Sequence, residues 1–328
     1  MLGEQGLELT KSHTGPVLDP RLGKVVCDGV EAAIHARMIG IRRSGYMGRT
    51  AHFSSRCGLP QMKTFLIVNP RSGTASPTAD ELRDAAVGRG VDVHMLEEGE
   101  DMQELARTAD ADVLGMSGGD GSLAAVAEVA IERDLPFVCI PFGTRNHFAR
   151  DIGLDRDDPI GALAAFEGVE RRIDVGRVGD RLFLNNVSLG LYALLVHRRE
   201  RHRRRRAVLA RFRAIVLAAR QHRGKDQFVI DGELVAARVV VVAANAYSFD
   251  LFSIGERESM DDGRLHLYVP HGFRRMTWDE RSCTEMTIET PSRSIRSAID
   301  GEPARLVSPV EFRIEPQALR VLVPPSPE

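Results

Sequence analysis

The sequence predicts two parts: an α/β domain built on a parallel sheet, then a second, mainly antiparallel β domain. Three observations predict it. From Lys63 onward, apolar runs of strand length alternate with helical patterns, the signature of a parallel sheet covered on both faces. Three of those apolar runs end in glycine-bearing loops, "NPRSG", "SGGDGS" and "PFGTRN". Beyond residue 155 the helical pattern gives way to short alternating runs separated by turn dipeptides such as Gly179–Asp180 and Asp231–Gly232.

In order, Phe65–Asn69 reads as a strand, Asp80–Val87 as a helix, Val91–Leu96 as a strand and Asp101–Ala109 as a helix. Asp112–Ser117 is a strand, Ser122–Arg133 a helix, Phe137–Pro141 a strand and Pro159–Gly168 a helix. The strands that follow include "RRIDVGRV", "RLFLNNVSLG", "QFVIDGELVAARVVVVAAN", "GRLHLYVP", "SIRSAID" and "ALRVLVP". Residues 1–62 hold neither period for long and are expected to be a poorly ordered extension, with Met62 as the natural start. The α/β domain is then 63–155 and the β-rich domain 156–316, with a C-terminal strand over 317–324 placed to return to the first.

A formal net charge of −2 gives no global reason to bind nucleic acid. Cys27, Cys57, Cys139 and Cys283 lie far apart with neither CxxC nor Cys/His spacing, which argues against zinc and against a disulfide framework. No apolar run approaches the ~18 residues that span a bilayer, and the expected location is cytoplasmic. Positive charge is nonetheless concentrated: His197 to Lys225 carries eleven arginines and one lysine against Glu200 alone. Within this run, Val208, Leu209, Phe212, Ile215, Val216 and Ala219 share one helical face. A core-packed helix with a solvated arginine face accounts for that pattern. Arg203, Arg204, Arg205 and Arg206 are denser than solubility requires and suit an anionic membrane surface, where each basic residue contributes about 1 kcal/mol. Nucleic acid, the rival partner, would call for interleaved aromatics that are absent here.

The stretch "MSGGDGSLAAVAEVA" runs from strand to helix through Gly118, Gly119, Asp120 and Gly121. Such a cluster lets backbone N–H groups approach a ligand, and a helix N-terminus after it suits phosphate. A tight turn capped by Asp120 or Ser122 would need no ligand. Three such loops at strand ends on one side of a sheet favour a shared pocket rich in backbone donors and in the hydroxyls of Ser72, Thr74, Ser122 and Thr144.

The ordered set "NPRSG", "GGDGS", "PFGTRNHFAR", "FLNNVSLGLYA", "DDGRL" and "DGEP" resembles the diacylglycerol kinase catalytic family, which includes bacterial diacylglycerol kinases and sphingosine kinases; the likeness runs from about Met62 to Pro324. It implies an ATP-dependent lipid kinase with Mg²⁺, an α/β nucleotide-binding domain and a β-rich domain shaping a lipid cleft. By the family pattern Asn69, Ser72, Gly73, Gly118, Gly119, Asp120, Gly121, Ser122, Gly143, Thr144 and Asn146 form the nucleotide site. Glu302 of "DGEP" is the implied general base toward a lipid hydroxyl such as that of diacylglycerol, and Asp262 resembles the family's structural metal site. Asp120 suits the catalytic metal, since Mg²⁺ keeps waters and takes few carboxylates. Phosphoryl transfer asks mainly for positioning, charge neutralisation and a proton acceptor, which fits such a set. His147 departs from the pattern, which has Asp after PxGTxN; a solvated helix residue and a catalytic group are its two readings. A simple hairpin turn remains the alternative for "IDGEPA". An NAD kinase-like enzyme and a non-catalytic nucleotide-binding regulator are the competing functions, and a homodimer is compatible with the sequence.

Overall fold

The structure, a computed structural model, describes residues 62–73, 76–190, 226–248, 256–257, 259–272 and 277–325. The expected extension before Met62, Thr74 and the basic helix with Arg203–Arg206 lie outside the described residues.

The first lobe alternates as the sequence predicts. Strand β1 (Thr64–Val68) leads to α1 (Ala79–Gly88), β2 (Asp92–Met95), α2 (Met102–Thr108), β3 (Val113–Gly118), α3 (Asp120–Glu132) and β4 (Phe137–Pro141). Local chemistry sets the helix starts. Thr78 and Glu81 form a reciprocal capping box, with Glu81 N donating to Thr78 Oγ1 at 3.2 Å and Thr78 N donating to Glu81 Oε2 at 2.7 Å. Asp101 caps α2 by accepting from Gln103 N at 2.9 Å. The strands pair in parallel in the order β2-β1-β3-β4. Central β3 is buried at every position, as a strand covered on both faces must be, which explains its unbroken "VLGMSG" rather than an alternating pattern. After β4 a short helix, α4 (His147–Asp151), and a 3-10 helix over Gly161–Glu167 lead out of the lobe. The latter is the helix expected over Pro159–Gly168, in 3-10 form.

The second lobe contains β5 (Val169–Val178), β6 (Arg181–Phe183), β7 (Asn186–Gly190), β8 (Asp226–Ile230), β9 (Glu233–Ala237) and β10 (Val239–Ala244). It continues with β11 (Tyr247–Ser248), β12 (Glu256–Arg257), β13 (Leu265–Gly272), β14 (Thr277–Cys283), β15 (Glu285–Glu289), β16 (Ser294–Ile299), β17 (Glu302–Val307) and β18 (Val310–Val323). The β8–β9 hairpin turns through Asp231 and Gly232, at φ 49° and 85°, the left-handed pair that a two-residue hairpin asks for. One sheet is wholly antiparallel, in the order β14-β13-β10-β7-β16-β17.

The other sheet is continuous from the first lobe. The latter half of β18 pairs in parallel with β4 at Val321 and Leu322, while its first half pairs antiparallel with β15. Strand β5 runs antiparallel along both halves. The register shifts between Glu315 and Leu319, where Gln317 has φ 50° and its N–H donates to Asp174 Oδ1 at 2.8 Å. Two cores result. One, with Leu66, Met116, Leu123, Phe137 and Phe148, lies around the parallel sheet; the other, with Phe183, Val187, Phe228, Val242, Leu267 and Phe312, fills the space between the antiparallel strands. Among the described residues no helix is long and apolar enough to cross a membrane.

Candidate active site

Three strand ends bring the glycine loops together. The "NPRSG" loop after β1 is closed by Asn69, whose side-chain Oδ1 accepts from Arg71 N at 3.1 Å and whose carbonyl accepts from Ser72 N at 3.1 Å. The Phe142 ring fills the space over Gly73, which ties this loop to the one after β4. Gly119 and Gly143 meet backbone to backbone: a Cβ on Gly143 would lie 2.6 Å from Gly119 Cα. A side chain at Gly143 would force the second and third loops apart. Gly119 is the N-cap of α3 and supplies no side-chain acceptor, so the first amides of that helix remain available to an anionic ligand.

Asp120 opens α3 and is only 8% exposed. Its Oδ1 accepts from Phe148 N at 3.2 Å and its Oδ2 from His147 N at 3.4 Å, so the carboxylate caps the short helix α4. Asn146, in the left-handed region at φ 48°, spends its amide on the loop: Oδ1 accepts from Gly143 N at 2.8 Å and Nδ2 donates to Arg156 O at 2.9 Å. It shapes the loop rather than offering a group to a ligand. Thr144 is exposed beside it, and Ser122 is half-buried in the first turn of α3.

The "DGEP" segment is a hairpin turn and something more. Asp300 and Gly301, at φ 48° and 83°, connect β16 to β17 in a two-residue turn with Ile299 paired to Glu302. That turn lays the Glu302 side chain over the start of α3, where a Cβ on Gly121 would meet Glu302 Cγ at 2.6 Å. The carboxylate named from "DGEP" and the aspartate of "GGDG" thus belong to one cleft. Asp300 itself is buried and held by three amides: Oδ1 accepts from Asn185 N at 2.7 Å and Asn186 N at 3.1 Å, and Oδ2 from Leu184 N at 2.8 Å. Burial pushes its carboxyl up to about 7; the amides of Leu184 and Asn185 oppose that shift and the charge of Asp120 reinforces it.

His147 is exposed at the start of α4, but the protein around its ring disfavours the imidazolium and lowers its pKa from 6.5. Asp120 pulls the other way, and Arg150 and Arg145 add to the lowering. Asp151, at the far end of α4, forms a fully buried ion pair with Arg257, whose Nε donates to Asp151 Oδ2 at 2.8 Å. The same guanidinium donates to Leu184 O at 2.7 Å, Ala244 O at 3.2 Å and Asn185 Oδ1 at 2.9 Å. It therefore joins α4 to the segment that grips Asp300.

The structure places Asp262 elsewhere. Its Oδ1 accepts from Arg264 N at 2.8 Å, and its Oδ2 accepts from Ala246 N at 3.2 Å and faces His266 Nε2 at 3.1 Å. His266 Nδ1 in turn faces Glu280 Oε1 at 3.0 Å. This is a hydrogen-bonded turn bridged by a histidine, anchored further by Gly263 N donating to Asp174 Oδ2 at 2.7 Å. Among the described residues no three His, Cys, Asp or Glu side chains are grouped to hold a metal, so a structural metal at Asp262 would take its remaining ligands from backbone carbonyls and water. Asp120 does fit a Mg²⁺ carried largely by phosphate and water: it is one carboxylate at the phosphate loops, with long amide bonds that leave lone pairs on both oxygens.

Arg145, Asp151, Asn185, Arg257 and Asp300 were not singled out by sequence reasoning. Asp300 and Asn185 sat inside quoted motifs, so their signal was present; Asp151 and Arg257 are 106 residues apart, and only the fold pairs them.

A parallel sheet whose strand-end loops meet a carboxylate from a second, antiparallel lobe defines a two-lobed α/β protein. Residues 63–178 match the family model of the diacylglycerol kinase catalytic domain. A probable lipid kinase YegS-like protein of Pseudomonas fluorescens is 38% identical over 110 residues, covering 32% of this chain and 36% of that relative. One from Cronobacter sakazakii is 26% identical over 296 residues, covering 80% of this chain and 96% of the relative. The chain spans about a third of the length of the more identical relatives it matches. The crystal structure of a diacylglycerol kinase from Bacillus anthracis str. Sterne shares the fold, with a TM-score of 0.58 at 17% identity over 81% of this chain and 98% of that one.

Proposed function

We propose that this chain is an ATP-dependent kinase that transfers the γ-phosphoryl group to a hydroxyl of a lipid such as diacylglycerol. The observation that carries the reading is the approach of Glu302 to Gly121, which sets a carboxylate from the antiparallel lobe against the loop best suited to phosphate. In this reading the amides of the GGDG and PFGTRN loops hold the nucleotide phosphates, assisted by Ser72, Ser122 and Thr144. Glu302 accepts the proton of the attacking hydroxyl as the oxygen–phosphorus bond forms and the bridging oxygen departs with ADP. Mg²⁺, when bound at Asp120, neutralises charge on the phosphoryl oxygens. Asp120 also keeps α4 in register through its two amide contacts. The lipid is met at an anionic membrane surface through the arginines at 203–206, which vesicle binding with Arg203–Arg206 replaced by Gln would test.

The deciding experiment uses purified protein, radiolabelled ATP, Mg²⁺ and a panel of lipids with NAD alongside. Label should enter a lipid in wild type and not in Glu302→Gln, with ATP binding retained in both. Label in NAD alone would establish the NAD kinase reading, and ATP binding without transfer to any acceptor would establish a regulator.

A further inference from the structure

Beside the Asp300–Gly301 turn lies a pocket of about 70 Å³ lined by Arg145, His147, Asn185, Asn186, Ser188, Asp300 and Gly301. We propose that this pocket binds a phosphate-type oxyanion with Arg145 as its anchor; the proposal deepens the kinase reading and rests on it.

The groups left unspent around the pocket are donors. Arg145 is half-buried, and no hydrogen bond or ion pair engages its guanidinium among the described residues. It stands against the turn, where a Cβ on Gly301 would lie 3.2 Å from Nη1. Asn185 is 3% exposed; its Oδ1 is taken by Arg257, while its Nδ2 is buried with no acceptor in the protein. An orphaned buried donor is costly, and a ligand oxygen relieves it. Asp300, the acidic group in the lining, has both oxygens committed to the amides of Leu184, Asn185 and Asn186. What the pocket offers is therefore a guanidinium and an amide N–H₂, with the Ser188 hydroxyl and the His147 ring beside them, a set suited to a compact group rich in acceptors.

Its volume suits one such group and no acyl chain, since a water occupies roughly 30 Å³. No residue of "NPRSG" or "GGDGS" lines it; Asn186 and Ser188 come from β7 of the antiparallel sheet. The pocket thus lies off the "NPRSG" and "GGDGS" loops and is edged by the "PFGTRN" loop, which carries Arg145. Two sources share the chemistry: the γ-phosphoryl group at the limit of the nucleotide, or an acidic head group on the acceptor.

The test is calorimetric titration of inorganic phosphate into the full-length protein saturated with Mg·ADP, for wild type, Arg145→Gln, Arg145→Lys and Asn185→Asp. Asn185→Asp keeps the oxygen that Arg257 needs and replaces the orphaned donor with a repelling carboxylate. Phosphate should bind wild type, weaken about tenfold or more in Arg145→Gln, weaken less in Arg145→Lys, and be lost in Asn185→Asp with an unchanged melting temperature. No phosphate binding in wild type, or affinities within twofold across the set, would overturn the proposal. If the γ-phosphoryl group is the source, Arg145→Gln lowers ATP affinity and spares ADP. If the acceptor is the source, nucleotide affinities stay equal to wild type, and KM rises for a short-chain lipid with an acidic head group and not for dioctanoylglycerol. Failure to bind ADP at all would count against the kinase reading, and the same titration without nucleotide would still decide the pocket.

Discussion

The side chain of Glu302 rests on Gly121, so close that a single methyl group at residue 121 would meet Glu302 Cγ at 2.6 Å. Gly121→Ala should therefore separate stability from function. Alanine favours the helix by about 1 kcal/mol, which offsets the local crowding, while Glu302 is pushed out of the cleft. The expected result is a melting temperature near wild type and phosphoryl transfer reduced by roughly two orders of magnitude or more, the loss typical of a displaced general base. Wild-type turnover in a folded Gly121→Ala would remove Glu302 from the reaction.

Asp120→Asn removes the charge at the phosphate loops and leaves an oxygen to accept from α4. Turnover should fall sharply and the Mg²⁺ concentration for half-maximal rate should rise, with circular dichroism unchanged. Unaltered magnesium dependence would assign Asp120 to capping alone.

Desolvation holds the His147 imidazole below its ordinary pKa and so disfavours its protonated form. With Glu302 as the proton acceptor, His147→Asp should keep or raise activity by restoring a second carboxylate. Were His147 the acceptor, His147→Asp would be folded and inactive and Glu302→Gln active.

The Arg257–Asp151 pair is 0% and 1% exposed at its side chains, and Asp151 also accepts from Arg150 Nη2 at 2.7 Å; removing Arg257 takes one of two guanidinium partners from a buried carboxylate, at a cost of up to about 3–5 kcal/mol. Arg257→Met should lower stability by that order. Arg257→Met with Asp151→Leu, which removes both charges, should recover most of it by denaturant titration without recovering activity, because the hold on Leu184 and Asn185 is still lost.

Asp300 gives a pH signature. Its carboxyl is raised from 3.8 to about 7, so the folded chain holds a proton that the unfolded chain has released between those values. The stability from this group is fully present below pH 3.8 and is lost as pH rises to about 7. Melting between pH 5 and 8 should show this decline in wild type. Asp300→Asn should flatten it and start from lower stability, since an amide N–H₂ placed at Oδ2 cannot accept from Leu184 N.

Much of this was legible in the sequence because it is local. The β3–α3 junction and the Asp231–Gly232 hairpin each follow from residues within a few positions of one another. The hairpin reading of "IDGEPA" is what the structure shows, and that turn is also what delivers Glu302 to Gly121. Partnership across long separations was not legible. Period-two alternation marks the first half of β18 as a strand without saying that it joins β15. Asp174, buried and bound to both Gly263 and Gln317, sits in a strand that reads as ordinary.

The parallel sheet receives its fifth strand from β18, which the ribosome makes some 170 residues after β4. Until Val321 and Leu322 emerge, the β4 edge has unpaired amides and carbonyls beside an apolar face, a template for pairing with another chain. Synthesis of this protein thus has a long interval in which its first lobe is nearly complete yet adhesive, and the burden on chaperones should fall there.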